Sequence, residues 1–280
     1  MNQYQNLKSE DYLEPDCPLT QKPEDALHSA VHIPQKRITE KMDELMALED
    51  FAGAERLLNY WLLEAKQGLD LQGEFYIYNE QMGFYRQRNE KEKAYEAIEH
   101  AFDMLEQLNY TDSISGATCY VNAATVYCVF NEEEKALALD QKALKIYQNN
   151  LEASDYRIGG LYNNMAQTLS QLSRYDEAIE YFKKAIEVML QVEEGKLEAA
   201  ISCLNIVDAI SAKEEESLES ILFKEKYLEK AKSYLDDPAL KENYHYAYVA
   251  SKCVGIFEYY GYFVYAKELK ERIRRIHEGN

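Results

Sequence analysis

Alanine pairs seven residues apart return in register along the chain, and this recurrence restricts the available folds more than any other feature. The segments AYEAIEHAFDML from Ala94, ALALDQKALKIY from Ala136 and AIEYFKKAIEVM from Ala178 place their leading alanines 42 residues apart. A second alanine follows each, at Ala101, Ala143 and Ala185. Small residues at that spacing share one helix face and let a neighbouring helix approach closely. The upstream blocks keep step: YNEQMGFY from Tyr78, YVNAATVY from Tyr120 and YNNMAQTL from Tyr162 each begin 16 residues before the alanine. Polar connectors, RQRNEKEK, CVFNEEEK and SQLSRYDE, separate the two blocks, so each repeat reads as helix, short turn, helix. In the clearest second helix, Tyr175, Ala178, Ile179, Phe182, Ala185, Ile186 and Met189 form one amphipathic stripe.

Fainter copies flank these three. Phe51 and Ala54 stand where Tyr175 and Ala178 do, with Trp61 in place of Ala185. Phe263 and Ala266 repeat the pair near the C-terminus, after Gly261. Between Ala178 and Ala266 lie 88 residues, or two repeats of 44. The intervening repeat has Asn205 in its first helix and a second helix, roughly 216–235, that has lost the clean stripe. The expected organisation is a leader over 1–35 and six helix pairs over 36–280, at about 36–69, 70–110, 111–152, 153–194, 195–236 and 237–280. Pro15, Pro18, Pro23 and Pro34 make the leader an extended or partly ordered segment.

The stretch DYRIGGLYNNMAQTLSQLSRYDEAIEYFKKAIEVM resembles the tetratricopeptide-repeat family, and within it the longer-period branch typified by kinesin light chain. It carries an aromatic–Asn-Asn–apolar–Ala block, a turn, and a Tyr-Asp-Glu-Ala entry to the second helix. The resemblance extends over about 36–278, and family repeats are commonly about 34 residues. It implies an all-α fold, a right-handed superhelical α-solenoid of about six helix pairs whose first helices line a concave surface. It also implies a protein- or peptide-binding scaffold. The alternative is a peptide- or ligand-responsive regulator acting on a separate effector.

Composition narrows the partners. Of the 280 residues 46% are hydrophobic, and 50 acidic residues against 31 Lys and Arg give a formal net charge of −19. That balance repels nucleic-acid phosphates and acidic membrane surfaces, and it favours neutral or basic protein partners; self-association into a homo-oligomer stays open. No apolar run reaches the ~18 residues of a membrane span, and the N-terminus lacks a signal-peptide core. The five cysteines, Cys17, Cys119, Cys128, Cys203 and Cys253, are odd in number and contain no CxxC pair, as expected of reduced thiols in a cytoplasmic protein.

No motif for phosphate binding, nucleophilic hydrolysis or zinc proteolysis occurs, so no catalytic residue and no cofactor is expected. His28 and His32 are the one histidine pair at helical spacing, but with no third ligand nearby they read as a surface pair. The cationic last helix, with Lys267, Lys270, Arg272, Arg274 and Arg275, reads as a solvated cap, with a basic docking patch as the alternative.

Asparagine recurs in the first helices, at Asn79, Asn122, Asn163, Asn164 and Asn205. It is a mediocre helix former, up to ~0.7 kcal/mol worse than Ala, and its amide matches the donors and acceptors of an extended backbone. The light-chain resemblance implies that these amides hold a peptide; bonding between neighbouring repeats is the alternative use. Residues about a turn away on the same face complete the expected groove: Tyr76, Gly83, Arg86, Thr125, Gly160, Gln167 and Ser170. The family's carboxylate clamp needs inner Lys and Arg, and only Arg86 is available for it.

Overall fold

The computed structural model describes residues 32–192, 195–213 and 217–279. All but the last four residues of the expected leader, His28 and Cys17 included, fall outside them. Among the described residues all regular structure is helical. The first-position helices are α1 (Gln35–Ala47), α3 (Leu71–Gln87), α5 (Ile114–Val129), α7 (Tyr156–Gln171), α9 (Lys196–Lys213) and α11 (Tyr244–Tyr259). Their followers are α2 (Phe51–Gln67), α4 (Lys91–Gln107), α6 (Glu133–Asn150), α8 (Tyr175–Met189), α10 (Leu218–Leu235) and α12 (Phe263–Glu278). The length beyond a 34-residue repeat resides in the helices: α3 and α4 have 17 residues each, and α5 and α6 have 16 and 18.

The turns follow one chemical plan. After α1, α2, α3, α4, α7 and α11 a single residue takes a left-handed conformation: Glu49, Leu69, Asn89, Asn109, Ser173 and Gly261. The next N–H then returns to a carbonyl five residues back, as in Glu90 N–H to Tyr85 O at 2.9 Å and Arg174 N–H to Leu169 O at 2.8 Å. This closure satisfies carbonyls that the helix end would otherwise leave open. The residue that closes one helix often starts the next. Asp50 and Asp70 do so, each accepting a hydrogen bond at its carboxylate from the N–H three residues on, Gly53 and Gly73. Asn tolerates the left-handed region better than most residues, which explains Asn89 and Asn131 inside the polar connectors.

The alanine register is buried throughout. Ala94, Ala101, Ala136, Ala143, Ala178 and Ala185 are all fully inaccessible, as are Ala54, Ala231 and Ala266. Ala231 gives the degenerate repeat its close-packing position, with Tyr227, Leu228 and Leu235 buried on the same stripe of α10. Trp61 fills its position at 1% exposure.

The chain forms two compact units, divided after Phe130. In the first, α1–α5, consecutive helices pack and α3 also lies against α5. In the second, α6–α12, the pairs α7–α8, α9–α10 and α11–α12 pack closely, and the first helices α7, α9 and α11 lie side by side. Among the described residues no helix is long and apolar enough to cross a membrane.

Candidate functional site

Each unit carries an open groove along its first helices. In the first unit a groove of about 350 Å³ is lined by Gln35 of α1, by Gln72, Phe75, Tyr76, Asn79 and Glu80 of α3, by Tyr110 of the following connector, and by Ser115, Thr118 and Asn122 of α5. Tyr76 joins its walls: its hydroxyl bonds Thr39 Oγ1 at 2.7 Å and donates to the Gln35 carbonyl at 3.2 Å. Gln72 Nε2 donates to the Tyr110 hydroxyl at 2.9 Å, and the Phe75 and Tyr110 rings meet edge-on with centroids 5.9 Å apart.

Asn79 ties α3 to α5. Its Nδ2 donates to the Phe75 carbonyl at 2.8 Å, and its Oδ1 accepts from Asn122 Nδ2 at 3.1 Å. It also bonds the thiol of Cys119, which burial pushes up to about 12 against that bond's opposing pull. At the entrance to this unit Asp70 accepts from the Ile33 N–H at 2.9 Å and bonds His32 Nδ1 at 2.9 Å. His32 therefore rests on a helix-capping carboxylate.

The second unit repeats the device. A groove of about 340 Å³ is lined by Asn163 and Gln167 of α7, Glu198, Ile201, Leu204 and Asn205 of α9, and Lys252, Cys253 and Ile256 of α11. Asn163 Oδ1 accepts from Ser202 Oγ at 3.1 Å and from Asn205 Nδ2 at 3.4 Å. Glu198 faces His245 at 3.8 Å, and the Lys252 ammonium lies 4.1 Å from the centre of the Tyr248 ring.

Of the residues expected at the site, Tyr76, Asn79 and Asn122 line the first groove, and Asn163, Gln167 and Asn205 line the second. Arg86, Thr125 and Asn164 line neither. Thr125 turns back to donate to the Asn122 carbonyl at 2.8 Å, and the Asn164 carbonyl accepts from Thr168 at 3.1 Å. Arg86 has its Nε buried without a hydrogen-bond partner among the described residues. Sequence reasoning missed Ser115 and Thr118, although both lie on the Asn122 face at helical spacing. It also missed Lys252, Cys253 and Ile256, because the first helix of the last repeat has Ser251 and Lys252 where the asparagines of the other repeats mark this face. Gly83 and Gly160 have open space where a side chain would begin.

Among the described residues no group of three or more His, Cys, Asp or Glu side chains is arranged to hold a metal ion.

Residues 117–155 and 161–188 each match the tetratricopeptide repeat. No curated protein matches the sequence. Among solved structures, BtubC (BKLC) from P. vanneervenii is similar, with a TM-score of 0.63 at 20% identity over 71% of this chain and 78% of its own. A putative kinesin light chain from Podosopora anserina, with nearly identical TPR-like repeats, gives 0.53 at 15% identity over 71% and 93%. A signal transduction ATPase with numerous domains and a tetratricopeptide repeat sensor, from Pyrococcus horikoshii, gives 0.58 at 17% identity. That match covers 87% of this chain and 36% of the ATPase. At these identities the structures speak for the fold, and the matched repeats speak for the family. With helix pairs packed in succession and two repeats matched by sequence, the chain contains tetratricopeptide repeats, at 117–155 and 161–188, within an all-helical repeat fold.

Proposed function

We propose that this protein is a non-enzymatic scaffold that holds an extended segment of a partner protein against its first helices. Tetratricopeptide repeats generally mediate protein–protein interaction, and the finer reading rests on one observation made twice. Asn79 with Asn122, and Asn163 with Asn205, join consecutive first helices beside an open groove. In Asn122 and Asn205 that bond uses one amide N–H. The second N–H and the carbonyl are left to pair with a peptide backbone, which presents the same groups. Bonding between helices therefore pre-orients the amide and is compatible with binding. The net charge of −19 favours neutral or basic segments. Cys119, Cys203 and Cys253 are buried free thiols, which suits the reducing cytoplasm.

The test is capture of partners from source-cell lysate by wild type and by an Asn163→Ala, Asn205→Ala double variant whose thermal unfolding is matched to wild type. The proposal expects at least one partner to be lost from the variant alone. Partners retained equally by both, and also by Asn122→Ala, would place binding elsewhere on the surface.

A further inference from the structure

The first groove has a charge asymmetry that bears on what can enter it. Of its lining residues only Glu80 is charged. Glu80 is partly buried, and among the described residues the charge that raises its pKa is that of Asp43 on α1, of the same sign. Among the described residues neither carboxylate has a cationic partner. Both also act on Tyr76, whose bonds to Thr39 and Gln35 hold α1 beside α3 at this point. Glu80 is thus kept in a half-desolvated wall with a like charge behind it, and burial and Asp43 together raise its pKa. Elsewhere the chain does pair its carboxylates: Glu55 and Glu90 share Lys93, and Asp236 holds Arg272.

An uncompensated carboxylate in such a wall gains most from a cation delivered with its own hydrogen-bond donors. An acidic side chain entering the same place would meet two like charges. Tyr76, half-buried in the wall, supplies ring surface along which the aliphatic stem of a long basic side chain can lie. Asn79 and Asn122, one position and one helix away, offer polar groups to the main chain that carries it.

We propose that the groove between α3 and α5 selects a segment carrying a lysine or arginine, whose cationic head docks on Glu80 while its backbone runs over Asn79 and Asn122. This rests on the reading of the groove as a peptide site, and it adds the chemistry that decides which peptide.

A displayed library of random 12-residue peptides, selected on the full-length protein, tests it. Selected peptides are synthesised with a fluorophore and titrated by anisotropy against wild type, Glu80→Gln and the groove-filling variant Thr118→Trp. Unchanged helical circular dichroism qualifies each variant. The expected result is a Lys or Arg enriched at one position, binding lost in Thr118→Trp, and about tenfold weaker binding to Glu80→Gln. Replacing the peptide's basic residue by Gln should cost the same tenfold on wild type and nothing further on Glu80→Gln. Peptides that need an open groove but show no basic position, or ignore Glu80→Gln, overturn this inference and leave the groove reading standing. Failure to select any peptide, or peptides indifferent to Thr118→Trp and to Asn122→Ala, overturns both.

Discussion

Asp140 lies four residues after Ala136, where the repeats on either side place Ile98 after Ala94 and Phe182 after Ala178. All three are 1% exposed, so a carboxyl group occupies a slot that otherwise holds a core side chain. Its Oδ1 has no hydrogen-bond partner among the described residues, and burial alone pushes its pKa from the ordinary 3.8 up to about 8. The folded state therefore holds a proton that the unfolded state releases at lower pH. Stability then falls as pH rises from about 4 to about 8, the interval between the unfolded and folded values. Asp140→Leu is expected to raise stability at pH 7.5 by about 1–3 kcal/mol, the cost of an unsatisfied buried polar group. It should also flatten the dependence between pH 4 and 8. Urea unfolding of wild type and variant at pH 5 and pH 8 checks both; an equal effect at the two pH values would show that Asp140 is already ionised and paired. Leu69 is a second local exception. It adopts φ 56° while the adjacent Gly68 stays in the right-handed region, because the turn register is set by Asp70 at the start of α3.

The helices and their turns were the legible part of the sequence. The alanine pairs marked the buried seams because only a small side chain allows that approach, and every one of them is fully buried. The polar connectors marked turns because the left-handed closing position favours Gly and Asn, as at Gly261, Asn89 and Asn109, although Glu49, Leu69 and Ser173 also occupy it. The groove was legible in part. Tyr76, Asn79 and Asn122 could be placed by counting back from the alanines, but their partners come from other helices, at separations of 37 to 43 residues. A single-helix pattern does not reveal which neighbour a side chain will meet. Glu80 was hidden for the same reason, since its significance depends on Asp43 and on having no cationic partner among the described residues. Gly83 and Gly160, on the expected inner face, have empty space beside them, so packing does not require glycine there. Gly83→Ala and Gly160→Ala should each stabilise the protein by about 0.5–1 kcal/mol, or roughly 2–4 °C in Tm per kcal/mol. If a partner's backbone passes over these positions, the same changes weaken its binding. Stabilisation measured by calorimetry with partner affinity unchanged would place the bound segment away from both glycines.

At the scale of the whole molecule, the two compact units use one construction: consecutive helix pairs, alanine seams, and first helices joined by asparagine pairs beside an open groove. The formal net charge is −19, so the attraction proposed for basic segments should weaken as salt is added. The central claim is that partners bind along the first helices. Site-specific photocrosslinking tests it most directly, with the photoreactive residue placed in turn at Thr118 and Gln167 in the grooves, and at Glu106 of α4 and Gln141 of α6, all of them exposed. Crosslinks to a common partner from Thr118 or Gln167, and none from Glu106 or Gln141, are the expected result. Crosslinks confined to Glu106 and Gln141 would contradict the account and assign binding to the second helices.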